Sequence, residues 1–582
     1  MTKTRAELAR ENALRWTQLP FDDATRAEVQ ALFDNKDDET ILNRFGDSLH
    51  FGTAGLRGVM GAGSTMMNRY TVAKASKAIA QCLREDYAQQ NACERGVVLG
   101  YDCRHNSELF AKITAEVLAA NGVKVYLYDR ITPTPLVPFA VKAKGAIAGI
   151  MITSSHNPKV YNGYKVFWDN GAQIVAPIDS QIASRMDKLQ EGAIESLELE
   201  EAKRSGKVVL LGEQSIAEYV DWVVKSSVLS KHSDVKIVYT PLGGTGWETA
   251  SASFKQAGFK DVHVVAEERD PDPEFAGLDA PNPERLDTWP RALALAKAKK
   301  ADIVLANDGD ADRIGVAIPV DGEYKILGGN QIGALMLYYI LEQLPKSLRN
   351  EKSFAICSVV SSPLTRAICE GFGVSFQETL TGFKWMGNVA DERVAKGENF
   401  LFAYEEAFGY TFSSARDKDG IISILLLAEL AAYCKAKGQS MGDVLDEIYQ
   451  RFGIHIEDAA ERFYEGFSGQ ETMKGVLANL RSNPPKSIAG IEVVRVRDLL
   501  QSQNIDMKSG AKEAVTHLPK QDMLSFYLAD DSWISLRPSG TEPKLKSYLG
   551  VIARDASADY VAKTRALEDR IAKIKDAVVK ML

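Results

Sequence analysis

The stretch Asp308-Gly309-Asp310-Ala311-Asp312-Arg313 places three carboxylates at alternate positions, with an arginine directly after them. The apolar runs on either side, residues 301–306 and 314–318, are typical of buried strands. The acidic residues therefore belong to a tight loop between strands, where alternate side chains can turn toward one ion. Proteins commonly hold magnesium with a few carboxylates and a phosphate oxygen. We predict that Asp308, Asp310 and Asp312 form a Mg²⁺ site.

A calcium-binding EF-hand is the first alternative for this acidic stretch. That loop needs glycine at its sixth position and glutamate at its twelfth, whereas this chain has Arg313 and Pro319 there. The second alternative is a solvated acidic turn without a function. Three aspartates in register between two apolar strands favour the metal site over that turn.

The overall composition is that of a soluble globular enzyme. The chain has 582 residues, enough for about three to five domains, with 45% apolar and 25% charged residues. Its net charge of −8 argues against a nucleic-acid partner. The six cysteines contain no C-x-x-C pair, which fits a reducing compartment. The start lacks an apolar signal core, and the longest apolar run, residues 421–434, contains Glu429. We expect a cytoplasmic protein with no membrane partner.

Short apolar strands alternate with longer amphipathic helices along most of the chain. This alternation is typical of α/β domains with largely parallel sheets. After about residue 451 the pattern changes to helices flanking several strands, which predicts an α+β unit with an antiparallel sheet. The predicted domains are residues 1–207, 208–327, 328–451 and 452–582.

A second candidate site is Thr153-Ser154-Ser155-His156-Asn157-Pro158, which follows a run typical of a buried strand. Ser155 would then emerge at the carboxyl end of a strand, where α/β folds place reacting groups. Adjacent residues such as Ser155 and His156 rarely face each other as an acyl-hydrolase triad requires, and no G-x-S-x-G elbow is present. A phosphoryl acceptor is the better interpretation, because phosphoserine oxygens can ligate magnesium. An ordinary Asn-Pro turn is the alternative.

Three cations lie in glycine-containing loops and could balance this negative charge. Three aspartates and one phosphoserine carry about −5 together, since phosphoserine contributes close to −2. Arg57, Lys165 and Arg313 are the candidates to offset that charge. Each of them, considered alone, would more often be a surface cation.

The segment Arg537-Pro538-Ser539-Gly540-Thr541-Glu542-Pro543 follows a predicted strand. A guanidinium, two hydroxyls and the backbone amides around a glycine suit a phosphate group, although a polar hairpin loop has a similar composition. Gly243-Gly244-Thr245-Gly246 resembles a dinucleotide loop but lacks the G-x-G-x-x-G spacing, so NAD binding is not expected.

Together these motifs make the chain resemble the α-D-phosphohexomutase superfamily of phosphoglucomutases and phosphomannomutases. The resemblance covers nearly the full length and implies that Ser155 carries the phosphoryl group and, with the three aspartates, contacts Mg²⁺. It also implies catalytic roles for His156, Lys165 and Arg57. Substrate binding would fall to Arg313, Lys384, Glu405, Arg537, Ser539, Gly540 and Thr541.

The family fold implies three related α/β domains with mixed sheets and a smaller C-terminal α+β domain around a central cleft. The sugar-binding segment of this chain departs from the glucose-type pattern G-E-x-S. Tyr404 precedes Glu405, and Ala407 stands where a serine is expected. The form resembles the longer branch of the superfamily, which includes phosphopentomutases and glucose 1,6-bisphosphate synthases.

The resemblance implies a Mg²⁺-dependent isomerase that interconverts glucose 1-phosphate and glucose 6-phosphate, with mannose phosphates as further substrates. Glucose 1,6-bisphosphate would be its intermediate and activator, and the enzyme would be a monomer or a homodimer. Phosphopentomutase and glucose 1,6-bisphosphate synthase activities are alternatives within the class. A phosphate-ester hydrolase and a non-catalytic phosphosugar-binding protein are alternatives from other classes.

Overall fold

The computed structural model describes residues 3–50, 55–227, 229, 232–464, 466–539, 544–555 and 559–582. The chain forms two compact units. Unit 1 contains residues 1–326, 387–392 and 408–433, and unit 2 contains residues 327–386, 393–407 and 434–582.

Helices occupy the largest share of the described chain. They are α1 Arg5–Arg15, α2 Asp23–Asp34, α3 Asp38–Phe45, α4 Arg69–Asp86, α5 Ala92–Arg95, α6 Ser107–Ala120, α7 Leu136–Lys144, α8 Ile178–Lys188, α9 Leu199–Arg204, α10 Glu213–Ser227, α11 Trp247–Gln256, α12 Pro290–Lys299, α13 Gly329–Gln343, α14 Leu364–Phe372, α15 Phe383–Ala395, α16 Gly420–Ala436, α17 Met441–Phe452, α18 Gly466–Ser482 and α19 Tyr560–Met581. None of these described helices has both the length and the apolar character that a membrane span requires.

The strands alternate with the helices until α17 and then follow one another closely. They are β1 Leu56–Val59, β2 Val97–Tyr101, β3 Val125–Tyr128, β4 Ala148–Ile152, β5 Tyr161–Trp168, β6 Val208–Leu211, β7 Lys236–Thr240, β8 Asp261–Val264, β9 Ile303–Asn307, β10 Ile314–Val320, β11 Glu323–Ile326, β12 Ser353–Ser358, β13 Ser375–Thr379, β14 Asn399–Glu405, β15 Gly409–Phe412, β16 Ile454–Phe463, β17 Ser487–Ile488, β18 Ile491–Asp498, β19 Gln503–Asp506, β20 Lys512–Ala514, β21 Leu524–Leu528, β22 Trp533–Pro538 and β23 Lys544–Ala553.

The first sheet of unit 1 has the strand order β1-β5-β4-β2-β3-β6. β4, β2, β3 and β6 are parallel, whereas β5 and β1 run antiparallel to their neighbours. Strands β2 and β4 are buried along their whole length, as expected for a sheet covered on both faces. The buried strand that precedes the Ser155 segment is β4, which begins at Ala148, because Gly145 ends α7 with φ +64°. Strand β6 follows residue 207 and still belongs to this sheet.

The second sheet of unit 1 has the order β11-β10-β9-β7-β8. β8, β7 and β9 are parallel, and β10 and β11 continue the sheet as antiparallel strands. β9 is fully buried and pairs with β10 across the acidic loop, with Asn307 opposite Ile314. The sheet therefore presents the acidic loop at the carboxyl end of β9, as the sequence predicted.

Unit 2 contains a parallel set of strands and an antiparallel sheet. β13, β12 and β14 are parallel neighbours. The C-terminal strands pair antiparallel in the order β16-β23-β22-β21-β18-β19-β20, and β16 pairs with β23 over ten residues of each strand. Helix α19 packs on these two long strands. The observed architecture confirms the predicted fold class of mixed α/β domains with a C-terminal α+β domain.

Candidate active site

The acidic loop of unit 1 forms a compact carboxylate cluster. Asp308, Asp310 and Asp312 are buried, and one carboxylate oxygen from each lies within 4.8 Å of the others. Ala311 adopts a left-handed backbone with φ +56°, which lets the loop turn between β9 and β10. Because alternate side chains of this loop converge, the geometry matches the predicted metal site.

Two observations test whether a cation fits this cluster. The Oδ1 atoms of Asp310 and Asp312 are buried without a hydrogen-bond partner in the part of the chain that the structure describes. Buried acceptors without donors are costly unless another group satisfies them. Carboxylate oxygens are also the donor type that Mg²⁺ prefers. The residues present therefore fit a hard divalent cation.

Lys165, on β5, makes ion pairs with two members of the cluster. Its Nζ lies 2.7 Å from Oδ2 of Asp310 and 2.6 Å from Oδ2 of Asp312, and all three side chains are buried. Thr134 Oγ1 also donates to Asp310 Oδ2, at 2.5 Å. The lysine thus neutralises part of the negative charge, and the lysine and the hydroxyl together hold the Oδ2 atoms of Asp310 and Asp312.

Two carboxyl groups of the cluster, those of Asp308 and Asp310, have pKa values shifted in opposite directions. Burial, together with repulsion from Asp310 and Asp312, raises the pKa of Asp308 well above its usual value. Burial acts in the same direction on Asp310, but Lys165 and Thr134 outweigh it and hold the pKa of that carboxyl below its usual range. Asp308 is therefore less compensated than Asp310, and it is the carboxylate that accepts the hydrogen bond of the candidate phosphoryl acceptor Ser155.

Ser155 lies directly against the acidic loop. Its Oγ donates to Asp308 Oδ2 at 2.7 Å and lies 3.2 Å from Nδ1 of His156. Ser155 is buried and has φ +53°, an uncommon backbone for serine. Its amide donates to Thr153 Oγ1 at 2.9 Å, which holds the turn. The structure thus brings Ser155 and the aspartates together as the sequence predicted.

Arg104 holds the Ser155 loop in place and was not predicted from the sequence. Its guanidinium donates to the carbonyl oxygens of Ser155 and Asn157, both at 2.6 Å, and to that of Pro158 at 2.9 Å. Asp102 lies 3.2 Å from Arg104 Nε, and both side chains are fully buried. The pair Asp102-x-Arg104 directly after the buried strand β2 was the available signal.

Arg57 contacts the Ser155 loop, and Arg313 contacts the acidic loop. Arg57 donates to Oδ1 of Asn157 at 3.3 Å. Arg313 donates from its side chain to Glu284 at 2.6 Å, and its amide donates to Asp308 Oδ1 at 3.0 Å. Burial and the nearby Arg313 lower the pKa of Arg57. Both predicted arginines therefore lie near Ser155, at the two loops that contain Asn157 and Asp308.

Lys418 is a further cation at the cluster that the sequence reasoning missed. Its Nζ lies 3.4 Å from Oδ2 of Asp312 and 3.4 Å from Oδ1 of Asp417. The charged run Arg416-Asp417-Lys418-Asp419 immediately before the apolar helix α16 could have indicated a functional loop. Gly420 then approaches the acidic loop so closely that a Cβ would lie 2.6 Å from the carbonyl oxygen of Ala311.

The glycine loop after β7 supports the acidic loop. Thr245 donates to the carbonyl oxygen of Gly309 from its amide at 3.0 Å and from Oγ1 at 3.3 Å. A Cβ at Gly244 would lie 2.5 Å from the same oxygen. The glycines thus have a packing role in this structure, because only a residue without a side chain allows the two loops to approach this closely.

In unit 2, Glu405 ends β14 and accepts a hydrogen bond from the amide of Gly382 at 2.5 Å. Its neighbour Glu406 accepts from Ser358 at 3.0 Å and Ser361 at 2.9 Å. Lys384, on α15, is buried with its Nζ 5.2 Å from the centre of the Trp385 ring. The predicted sugar-side residues therefore belong to one small region of unit 2.

Tyr404, the residue that departs from the glucose-type pattern, has a packing role. Its hydroxyl lies 2.8 Å from Thr365 Oγ1, and its ring covers Gly333 of α13 so closely that a Cβ there would lie 2.6 Å from it. Tyr404 is fully buried. The tyrosine thus anchors the end of β14, directly before Glu405, against α13 and α14.

Arg537 lies near the end of β22, and its Nε is buried without a hydrogen-bond partner among the described residues. Burial and the nearby Glu406 raise the pKa of Tyr548, whereas Arg537, which hydrogen-bonds it, lowers that pKa. Tyr548 is thus near both Arg537 and Glu406. Ser539 donates from its amide to Lys544 O at 2.8 Å. Gly540 and Thr541 lie outside the described residues.

Comparison with known proteins identifies the family. Models of the phosphoglucomutase/phosphomannomutase alpha/beta/alpha domains I, II and III match residues 48–193, 217–321 and 328–452. A phosphopentomutase of Mus musculus is 36% identical, over 98% of this chain and 94% of that protein.

Two further relatives carry other activities of the same superfamily in their names. A glucose 1,6-bisphosphate synthase of Pongo abelii is 33% identical, over 97% of this chain and 92% of that protein. A phosphoglucomutase of Staphylococcus aureus is 33% identical, over 92% of this chain and 95% of that protein. The domain matches and these full-length similarities confirm that the chain belongs to the α-D-phosphohexomutase superfamily, whose members are phosphotransferase isomerases.

Proposed function

We propose that the protein is a Mg²⁺-dependent phosphosugar mutase that interconverts glucose 1-phosphate and glucose 6-phosphate through a phosphorylated Ser155. The observation that carries this proposal is the 2.7 Å hydrogen bond between Ser155 Oγ and Asp308 in a buried carboxylate cluster. A serine in this position can hold a phosphoryl group whose oxygens reach the same cation as the carboxylates. A binding protein would need no such serine.

The residues of unit 1 would divide the work of phosphoryl transfer. Asp308, Asp310 and Asp312 would hold Mg²⁺, which when bound neutralises charge on the transferring group. Arg57, Arg313 and Lys418 would add positive charge around the phosphoryl oxygens. Arg104 would keep the Ser155 loop in its strained conformation, so that Oγ stays directed at the acidic loop.

Each half of the reaction exchanges one oxygen–phosphorus bond for another. The bond from Ser155 Oγ to phosphorus breaks as a free sugar hydroxyl bonds to the same phosphorus, which gives glucose 1,6-bisphosphate. The hydroxyl proton passes to a nearby base, for which His156 and Lys165 are the candidates from the sequence. Lys165 is held by two carboxylates at 2.6–2.7 Å. His156, 3.2 Å from Ser155 Oγ, would return a proton to that oxygen as it leaves, because the attacking and leaving oxygens lie on opposite sides of phosphorus.

The second half returns the other phosphate of the bisphosphate to Ser155 and restores the phosphoenzyme. Glu405 and Lys384 would contact the sugar, and Arg537 and Ser539, with Gly540 and Thr541, would bind the phosphate that is not transferred. A phosphate segment that accepts either end of the sugar lets both orientations react. Glucose 1,6-bisphosphate would therefore also activate an enzyme that has lost its phosphoryl group.

Phosphopentomutase activity is the second candidate. It is favoured by the 36% identity to a mouse protein of that name over nearly the whole chain, compared with 33% for the bacterial phosphoglucomutase. Ala407 in place of serine also removes a hydroxyl that a glucose-type pattern would offer to the sugar. The same phosphoserine chemistry serves both candidates, so the sugar alone distinguishes them.

Initial rates with Mg²⁺ and trace glucose 1,6-bisphosphate test the proposal, with glucose 1-phosphate, mannose 1-phosphate and ribose 1-phosphate as substrates. We expect glucose 1-phosphate to give the highest kcat/KM and Ser155→Ala to abolish turnover. Ribose 1-phosphate leading by about tenfold, or about 1.4 kcal/mol of transition-state discrimination, would instead establish the pentomutase.

Intact mass spectrometry tests Ser155 as the phosphoryl acceptor, with Ser154→Ala as the matched control. Ser154 is the adjacent serine, also buried, and its hydroxyl has no hydrogen-bond partner among the described residues. Ser154→Ala should therefore retain both the resident phosphate and turnover, whereas Ser155→Ala should lose both. A phosphate that persists in Ser155→Ala would contradict the proposed acceptor.

A further inference from the structure

Unit 2 contains a cavity of about 350 Å³ that the proposed reaction does not use. One wall comes from residues 357–378, which include α14 and β13, and the other from residues 452–554 of the C-terminal domain. Of the described residues, none of those predicted to bind sugar or phosphate lines this cavity. It is therefore distinct from the candidate substrate residues of the same unit.

Four arginines line the cavity wall and leave it with one net positive charge, since three carboxylates also line it: Glu370, Glu378 and Asp531. Arg497 donates to Glu378 at 3.0 Å, and Arg554 donates to Asp531 at 2.7 Å, so these two guanidinium groups are already paired. The other two arginines, Arg366 and Arg495, have no carboxylate partner within 4.0 Å in the described chain.

The two arginines without a carboxylate are held by aromatic rings. Arg366 lies 4.6 Å from the centre of the Phe376 ring, and Arg495 lies 3.9 Å from the centre of the Tyr527 ring. Stacking of this kind fixes the guanidinium plane while its N–H groups remain available as donors. The cavity thus offers two pre-oriented positive groups to an anion.

Two buried nitrogens in the same wall also lack partners. Nδ1 of His455 and Nε1 of Trp533 have no hydrogen-bond partner among the described residues, and each side chain is more than nine-tenths buried. Burial and the nearby Arg554 lower the pKa of His455 to about 4, so its imidazole is neutral near pH 7. Buried polar atoms of native proteins are usually satisfied, so their presence at a cavity indicates groups that a ligand could satisfy.

We infer that this cavity is a second binding site, for a phosphate monoester of a small polyhydroxylated molecule. The phosphate would accept hydrogen bonds from Arg366 and Arg495, as guanidinium forks favour phosphate oxygens. The hydroxyl groups of the ligand would satisfy His455 Nδ1 and Trp533 Nε1.

The site has a direct structural link to the sugar-side segment. Ser358 and Ser361 line the cavity and also donate to Glu406, the neighbour of Glu405. A ligand that shifts either serine would change the position of Glu406. Occupation of the cavity should therefore alter KM for the sugar phosphate more than kcat.

Isothermal titration calorimetry with glycerol 3-phosphate tests the site in full-length protein that carries Arg537→Ala, which weakens the candidate phosphate segment. We expect a binding event that Arg366→Ala or Arg495→Ala weakens by about tenfold or more, the usual loss for a hydrogen bond to a charged group. Arg495→Gln, which keeps a side chain of similar length over Tyr527, should show the same loss and guards against misfolding. Glycerol alone should not bind.

Arg462→Ala is the matched control. Arg462 lies 5.6 Å from the centre of the Tyr464 ring but does not line the cavity, so its removal should leave the titration unchanged. If the Arg366 and Arg495 variants titrate like the Arg462 variant, the proposed site is wrong. Inorganic phosphate could bind as tightly as glycerol 3-phosphate, with the same dependence on Arg495. That result would show that the hydroxyl groups of the ligand do not contribute to binding and would overturn that part of the inference.

Discussion

At the scale of single residues, the acidic cluster is a buried charge system that depends on its lysine. Lys165 lies within 2.7 Å of both Asp310 and Asp312 in a region without solvent access. Burying charges is favourable only where partners offset the loss of hydration. The cluster should therefore be stable only with Lys165 and, in addition, a cation or a proton.

The variant Lys165→Met should lower the free energy of unfolding by about 3–5 kcal/mol in the presence of a chelator, because it leaves buried carboxylates without their partner. Added Mg²⁺ should recover part of this loss by binding the same oxygens. Chemical denaturation with EDTA and with Mg²⁺ measures both effects.

Lys144→Met is the control for this lysine. Lys144 pairs with Glu218 at 3.2 Å near the surface, where such pairs contribute about 0–1 kcal/mol. Its removal should have a small effect that Mg²⁺ does not change. Equal losses for the two variants would show that burial of the cluster does not govern its energetics.

Asp419 should make stability depend on pH near neutrality. It accepts hydrogen bonds from Tyr219 and from the amides of Ile421 and Ile422 at the start of α16, with Asp312 as a nearby charge. Burial raises its pKa to about 6 despite these bonds. The folded state thus binds this proton more tightly than the unfolded chain, in which aspartate titrates near pH 3.9. The stability that this group contributes is full below about pH 4 and is lost as the pH rises through about 6.

The variant Asp419→Asn removes this titration and should gain on the wild type by up to about 3 kcal/mol between pH 4 and pH 7. Denaturant unfolding across that range measures the difference. Asp22 is the control, because it caps α2 and hydrogen bonds from Thr25 and Tyr70 outweigh partial burial to lower its pKa to about 2. The difference between Asp22→Asn and the wild type should stay nearly constant over the same range. A difference between Asp419→Asn and the wild type that does not change with pH would mean that the carboxyl of folded wild-type protein is ionised throughout this range.

At the scale of elements, the acidic loop keeps its shape because the glycine loop after β7 packs against it. Gly244→Ala would place a Cβ 2.5 Å from the carbonyl oxygen of Gly309 and 2.7 Å from its Cα. Since both contacts involve backbone atoms, the acidic loop must move. A displacement of about 1 Å at a reacting centre can reduce the rate by about 100-fold. We expect kcat to fall by about that factor and the Mg²⁺ requirement to rise.

Gly475→Ala is the control for this glycine. Gly475 lies within α18, and no heavy atom lies within 4 Å of the position its Cβ would take. The change should leave kcat unaltered and stabilise the protein by roughly 0.5–1 kcal/mol, as expected for an exposed helical glycine. Normal kcat and Mg²⁺ dependence in Gly244→Ala would mean that the glycine loop does not position the acidic loop.

The sequence predicted best those elements whose functional side chains and flanking strand patterns lie within one short stretch of the chain. The acidic loop could be predicted because its three carboxylates and both flanking strands occur within one short stretch. The sequence signals for Arg104 and Lys418 are weak, because each reaches the site from a distant part of the chain through tertiary packing. Strand β6 escaped prediction as part of the first sheet for a related reason, since an edge strand with two exposed residues has a weak pattern.

At the scale of the whole molecule, the two units carry candidate groups of different chemistry. Unit 1 supplies the acceptor serine, the acidic cluster and the cations around them. Unit 2 supplies the sugar-side segment and Arg537. Metal binding should therefore be a property of unit 1, whereas recognition of the sugar phosphate should depend on unit 2.

This division predicts that Arg537→Ala affects the substrate and not the metal. The guanidinium of Arg537 has a buried Nε without a partner among the described residues, so a bound phosphate would satisfy it. Loss of a charge-assisted hydrogen bond should raise KM by about 10- to 100-fold. The Mg²⁺-dependent increase in Tm should equal that of the wild type, because the acidic cluster is unchanged. Arg570→Ala, which removes a partly exposed arginine 3.0 Å from Asp530, should alter neither quantity. An unchanged KM in Arg537→Ala would remove this arginine from the proposed phosphate segment, and a lost Mg²⁺ effect would mean that the metal site extends beyond unit 1.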